Sequence, residues 1–343
     1  MDNVTHTLVG VALARAGFNR KTRYATWAMA IGSNLPDGDI IAAWRGGINY
    51  LRYHRAITHS LIGVTVLGWA LALIFYFFGR RARQKPHVLP VNLKWLIAAC
   101  WLSTALHLFM DYTNQYGVRP FLPFRGRWIA LDIMPIVDPW LLLILALGLG
   151  LPAIFRIVSE EVGAKSKDSR TAQRGAIIAL CGMVLLWGIR GFSHERAVKM
   201  LEAHMYRGEI AYAVGAFPSA VNPFVWTGVV ETDSAFYMLP VNSLDSDAGT
   251  DRERAFRKPK LSPPILAAEH TDTAQVFLNF ARFPWAQLDE GVEMDDVTIR
   301  DLRFASLGSR RSGFMIEVLL DKNLKVLKQF FTFGGRTHRS REQ

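Results

Sequence analysis

"YHRAITHSLIGVTVLGWALALIFYFFG" (residues 53–79) sets two histidines and an arginine at the mouth of a long apolar run. No charged residue stands between Leu61 and Gly79. A helix rises about 1.5 Å per residue, so such a run reaches across about 30 Å of hydrocarbon. A buried helix of a water-soluble domain normally carries a polar stripe, and this one largely lacks it. Three more stretches, 95–110, 136–155 and 173–189, are apolar in the same way, and two shorter ones, 4–17 and 24–35, precede them as short spans or a re-entrant pair. The sequence therefore predicts an α-helical polytopic membrane domain over residues 1–192, with about four to six membrane segments. From residue 193 to 343 polar and apolar residues mix, and an α+β, strand-rich aqueous domain is expected.

The N-terminal "MDNVTHT" has no basic segment and no small-residue cleavage site, so a retained N-terminus is expected. Cys100 and Cys181 both fall in predicted spans, which predicts no disulfide framework. The net charge of +11 does not point to nucleic acid, because Lys and Arg gather largely in connections between spans. "NRKTR" (19–23), "RRARQKP" (80–86) and the link with Arg156, Lys165, Lys167, Arg170 and Arg174 all lie on one side if each segment crosses once. The positive-inside rule makes that side cytoplasmic in a bacterial inner membrane. The links 36–56 and 111–135, and the aqueous domain, then face the periplasm. Arg45, Arg52, Arg119, Arg125 and Arg127 on that outer side make the asymmetry moderate.

On this map the ionisable residues converge. His6 begins the first segment and "LPDGD", with Asp37 and Asp39, ends the second. His54 and His59 open the third, His107 and Asp111 close the fourth, and Asp132 and Asp138 precede or open the fifth. Each lies at the outward end of its segment, where an ionisable group is costly unless paired or functional.

Histidine with carboxylate, and no cysteine, suits zinc or another divalent first-row metal. His107 and Asp111 are four residues apart, so one helix face presents both. His54 and His59 are about 140° out of phase on a continuous helix, and converge more easily if His54 precedes the helix. Gly38 after Pro36 lets the loop turn Asp37 and Asp39 towards one point. The expected ligands are His6, Asp37, Asp39, His54, His59, His107 and Asp111, enough for two or more ions. Arg55 is expected to orient an anionic group through its planar fork. Either Asp39 or Asp138 serves as general base in this scheme. The bland alternatives are turn residues for Asp37 and Asp39, and a helix N-cap for Asp138 before Pro139. His87 lies in a basic loop on the opposite side, and His194, His204, His270 and His338 lie in the aqueous domain without ligand-like neighbours.

The ordered set "THTLVG", "SNLPDGD", "YHRAITHSL", "ALHLFMDYTNQYG" and "LDIMPIVDPW" resembles the YdjM-like family, described as LexA-regulated, membrane-bound metal-dependent hydrolases. The resemblance covers roughly residues 1–155. It implies a helical inner-membrane protein with metal-dependent hydrolase activity, and carries over onto His6, Asp37, Asp39, His54, Arg55, Thr58, His59, His107, Asp111, Asp132 and Asp138. More loosely, "HLFMD" (107–111) resembles the His-x-x-x-Asp element of helical zinc phospholipases C and related nucleases. That likeness implies phosphoester hydrolysis, with a lipid-linked anionic substrate reaching the site from the bilayer.

In the aqueous domain, "HERAVKMLEAHMY" (194–206) predicts an amphipathic helix after the last span. "FVWTGVVET", "SAFYMLPV", "AQVFLNFARF", "VTIRDLRFA", "GFMIEVLLD" and "KVLKQFFTF" predict strands. Two other classes of function compete with the hydrolase: a metal transporter or sensor, and a non-enzymatic envelope scaffold. The purely apolar "VTVLGWALALIFYFF" (64–78) argues against conduction.

Overall fold

The run after His59 becomes helix α4, Leu61–Arg81, and its outward face of Ile62, Val66, Trp69, Ile74, Phe77 and Phe78 is exposed. The computed structural model describes residues 1–81, 88–161, 168–249, 252–306, 313–333 and 336–339. The basic stretches at 82–87 and 162–167 lie outside these described residues, as does His87. The chain forms two compact units. One comprises residues 1–39, 55–192 and 220–223; the other comprises 40–54, 193–219 and 224–343.

The first unit holds helices α1 (Asn3–Ala16), α2 (Ala25–Gly32), α4, α5 (Leu93–Thr113), α6 (Pro139–Glu161) and most of α7 (Asp168–Glu202). Among the described residues three helices are long and apolar enough to cross a membrane: Leu61–Arg81, Leu93–Thr113 and Arg170–Glu202. The apolar helical segment Pro139–Phe155 is shorter. The segments expected at 4–17 and 24–35 form α1 and α2, which are about 21 and 12 Å long and cannot cross as helices. Asp2 caps α1, accepting from the Thr5 N–H at 3.0 Å, which starts the helix just before His6.

Helix α5 is the central one. Of its apolar window 44% is buried, against 22% for α4 and 28% for α7. Ala28, Leu71, Leu96 and Cys100 join α2, α4 and α5, while Val9, Met110, Leu141, Leu145, Ala179 and Met183 join α1, α5, α6 and α7. Close crossing needs missing side chains: a methyl group on Gly10 would overlap Ser33 Oγ and Met29 O, so α1 and α2 meet backbone to backbone there. That contact fixes the end of α2, and hence Ser33.

In the second unit α3 (Gly47–Tyr53) packs on α9 (Asp272–Phe280) and on strand β8 (Val326–Phe333), through an Arg52–Asp272 ion pair and Tyr50 against Phe333. A four-stranded antiparallel sheet runs β1 (Ala213–Pro218), β2 (Val225–Glu231), β3 (Ala235–Asn242), β4 (Arg254–Arg257). A five-stranded one runs β5 (Pro284–Glu290), β6 (Met294–Asp301), β7 (Phe314–Asp321), β8 (Val326–Phe333), β9 (Arg336–Arg339). Short helix α8 (Pro263–Glu269) precedes α9. The last turns of α7 pack Ala197 and Leu201 against Trp226, Val230 and Leu239.

One expected strand is a helix. "AQVFLNFARF" (274–283) falls largely in α9, where Thr271 caps the Ala274 N–H and Thr273, Ala274, Phe277 and Phe280 share the buried face at helical spacing. The amphipathic segment expected at 194–206 continues α7 as one helix to Glu202.

Candidate metal centre

Four side chains from three places in the chain converge: Asp37, His59, His107 and Asp111 each offer a donor atom within 4.8 Å of the others. Asp37 stands on the 3-10 stretch that begins at Leu35, His59 ends a 3-10 turn before α4, and His107 and Asp111 share one face of α5. His59, His107 and Asp111 have wholly buried side chains, whereas Asp37 keeps 14% of its side-chain surface exposed.

Both histidines are held with one nitrogen turned inward. His107 Nδ1 lies 2.7 Å from the Ser33 carbonyl oxygen, an acceptor, so Nδ1 carries the proton and Nε2 presents its lone pair. His59 Nδ1 lies 3.2 Å from Asp39 Oδ2, so its Nε2 also points inward. The two Nε2 atoms are 3.0 Å apart. Asp37 Oδ1 lies 3.3 Å from His59 Nε2 and 3.6 Å from His107 Nε2; Asp111 Oδ2 lies 3.5 and 3.6 Å from the same atoms. Donors tetrahedrally placed at about 2.0–2.1 Å from an ion stand about 3.3 Å from one another. The residues present therefore fit a divalent ion, in spacing and in chemistry.

The electrostatics agree. Burial disfavours a charge on His59, yet hydrogen bonds to Asp111, Asp37 and Asp39 outweigh it and push its pKa up to about 10. Burial likewise opposes ionisation of Asp37, but the hydrogen bond from His59 and the nearby His107 hold it down at about 2. The middle of the pocket calls for positive charge.

The other expected residues take definite places. Asp39 stands behind His59: its Oδ2 accepts from the Arg55 N–H at 2.9 Å and the Thr58 hydroxyl at 2.8 Å as well as facing Nδ1. A carboxylate in that position fixes the tautomer and orientation of a ligating histidine. His6 stacks on His107 with ring centroids 4.0 Å apart, and its Nε2 approaches Asp111 Oδ1 at 3.4 Å. Apart from that approach neither His6 ring nitrogen has a hydrogen-bond partner among the described residues, although both are buried. The Met1 nitrogen also donates to Asp111 Oδ1.

Arg55 is a clamp on Asp111 and not an open fork. Its backbone is left-handed, with φ of 53°, and its Nη2 lies 2.9 Å from Asp111 Oδ2. Nη1 donates to Asn114 Oδ1 and to the Gly117 carbonyl, and the guanidinium lies over the Tyr116 ring. With 5% of its surface exposed, it holds the ligand carboxylate. Asp138 is committed elsewhere: Oδ1 caps the Leu141 N–H at 2.9 Å and Oδ2 pairs with Arg190 Nη2 at 2.7 Å, both side chains wholly buried. The N-cap expected of it is present through Oδ1. Asp132 is buried with φ of 58°, on a stretch whose neighbours Leu131 and Ile133 bond the end of α5, and it is not in the four-donor group. His54 belongs to the second unit, where it ends α3 and stacks on Tyr50 at 4.4 Å.

Sequence reasoning overlooked Ser33, Asn114, Tyr116 and Gly117. All four lie inside the motifs "SNLPDGD" and "DYTNQYG", so the signal was adjacent to residues already singled out.

Apolar helices long enough to cross a bilayer, with a buried His/Asp cluster at the end of one of them, define a membrane protein with a candidate metal site. The chain belongs to the YdjM inner membrane protein family, whose profile matches residues 1–197. It is also 30% identical over 149 residues to "Uncharacterized protein YfhP" of Bacillus subtilis (strain 168). That match covers 41% of this chain and 43% of the relative, so the two correspond over less than half of either length. No solved structure matches the chain.

Proposed function

We propose that the protein is a metal-dependent hydrolase of the inner membrane, acting on a phosphoester, with a lipid-linked anionic compound as its substrate class. The observation that carries this reading is the convergence of two histidine Nε2 atoms and two carboxylate oxygens, each histidine fixed from behind. Asp37, His59, His107 and Asp111 would hold the ion, with His6 positioned to extend the site from the other oxygen of Asp111. Nitrogen and oxygen donors without sulfur make zinc the first candidate. Such an ion supplies Lewis-acid polarisation and a water of lowered pKa.

The protein's own contribution is positioning. Asp39 and the Ser33 carbonyl orient the histidines, and Arg55 holds Asp111 while neutralising part of the local negative charge. Asp37, the one member of the four with accessible surface, marks the side on which water and substrate arrive. The topology proposed here puts the cluster and the C-terminal unit on the periplasmic side, which reporter fusions after residues 120 and 343 test.

Burial of three of the four donors also favours a second reading, a structural metal centre tying α5 to the turn before α4. Purified protein in nanodiscs, loaded with zinc or manganese, is assayed on mono- and diester phosphates, short-chain and lipid-linked. Turnover that disappears in His107→Ala supports the hydrolase. Stoichiometric metal without turnover on any of these substrates supports the structural centre instead.

A further inference from the structure

The connection from α5 to α6 carries an excursion that the proposed chemistry leaves unused. Val118 and Ile129 exchange both backbone hydrogen bonds at 2.9 Å, closing residues 119–128 into a loop. Within it the Phe124 and Arg125 N–H groups both reach the Phe121 carbonyl, at 2.9 and 3.0 Å, so the tip is a folded turn. The Leu61 N–H donates to Pro120 O at 2.9 Å and pins the excursion to the first residue of α4.

The tip is both apolar and basic. Phe124 is 82% exposed and Phe121 50%, with Arg125 and Arg127 exposed beside them. No acidic residue occurs between Asp111 and Asp132, so these arginines have no counter-charge on their own segment. Water is a poor home for such a phenylalanine pair. The surface beside it is apolar too: Ile57, Leu61 and Ile62 are about half exposed where the span begins. A bilayer that covers the outer face of α4 therefore has its boundary at the level to which Pro120 is tied. Exposed aromatics flanked by arginine are the combination that sits in the headgroup region, apolar groups towards the acyl chains and guanidinium groups on phosphates.

We propose that residues 119–128 form an interfacial anchor for anionic phospholipid, with Phe121 and Phe124 inserted into the leaflet and Arg125 and Arg127 on its phosphates. This does not depend on hydrolysis. Leu61 lies two residues beyond His59, and Gly117, whose carbonyl holds Arg55, lies just before Val118. The anchor thereby holds the metal cluster at headgroup depth.

The test uses the full chain in nanodiscs of phosphatidylcholine, with or without phosphatidylglycerol. A nitroxide is placed by Phe124→Cys in a Cys181→Ala background, Cys100 being buried. The label is expected to be more accessible to oxygen than to a water-soluble nickel reagent. Native mass spectrometry is expected to show a preference for phosphatidylglycerol that falls about 30-fold in Arg125→Gln with Arg127→Gln, about fivefold per arginine. Hydrogen exchange on the unmodified chain is expected to show residues 121–127 protected in bilayers relative to detergent. A label open to the aqueous reagent in both lipids, or unchanged lipid preference in the double variant, overturns the proposal. The first outcome is the one that a docking surface for a soluble protein would give.

Discussion

His59 Nε2 and His107 Nε2 face each other at 3.0 Å, each in a ring whose Nδ1 is turned to an acceptor. The carboxylates around His59 keep it protonated, so its Nε2 donates to the lone pair of His107 Nε2 and a positive charge already occupies the place between the rings. A divalent ion would displace that proton and serve both nitrogens and the two carboxylates around them.

Asp39→Asn keeps the hydrogen bonds from Thr58 and the Arg55 N–H within reach but removes the carboxylate behind His59 Nδ1. Metal affinity is expected to fall about 10- to 100-fold, the usual cost of losing such a partner. Competition against a calibrated chelator measures it. Affinity equal to wild type would show that His59 is oriented by something else.

The Asp138–Arg190 pair makes a contrasting case. Arg190→Met leaves a buried carboxylate without its cation and is expected to cost about 3–5 kcal/mol of stability. Adding Asp138→Asn is expected to restore most of that loss. Thermal unfolding in detergent reads both variants, and metal content per folded molecule is expected to be unchanged in each. Loss of metal from folded Arg190→Met would place this pair in the metal centre after all.

In the second unit Asp296 stands directly across from Asp289 in the β5–β6 pair, with Glu317 on the neighbouring strand. Burial and these two carboxylates raise its pKa to about 6. A raised folded pKa means that the protonated form stabilises the fold below the unfolded value near 4, and that this contribution is lost as pH rises through 6. Asp296→Asn is therefore expected to raise the stability of this unit at pH 7.5 by up to about 1 kcal/mol, the scale of a cross-strand charge pair. The gain is expected to vanish below about pH 4. Unfolding curves across that range check it; a gain independent of pH would exclude the charge as its cause.

Much of the metal site was legible because its key pair is local. His107 and Asp111 sit one helical turn apart in an apolar helix, and spacing alone puts them on one face. Asp37 and His59 stood out as ionisable groups where apolar segments begin or end. Asp138 looked the same, but its partner Arg190 is 52 positions away, and nothing in the sequence announces a pair between α6 and α7. Arg55 was recognised as important but not for its target, since that depends on a left-handed backbone and on Asn114 and Gly117. In "AQVFLNFARF" the apolar residues fit a strand by composition, while the Thr271 cap and the 273–274–277–280 spacing chose a helix. The 40–54 segment joined the second unit through contacts with α9 and β8, far along the chain and invisible to periodicity.

Asp37, His59, His107 and Asp111 are expected to bind a metal ion together. Elemental analysis of the detergent-purified protein, after incubation with zinc and removal of loosely bound ions, tests it most directly. Wild type is expected to retain at least one ion per chain, and His107→Ala with Asp111→Ala is expected to retain none while its total helix content by circular dichroism equals that of wild type. A wild-type protein without stoichiometric metal, or a folded double variant that keeps it, would contradict the account.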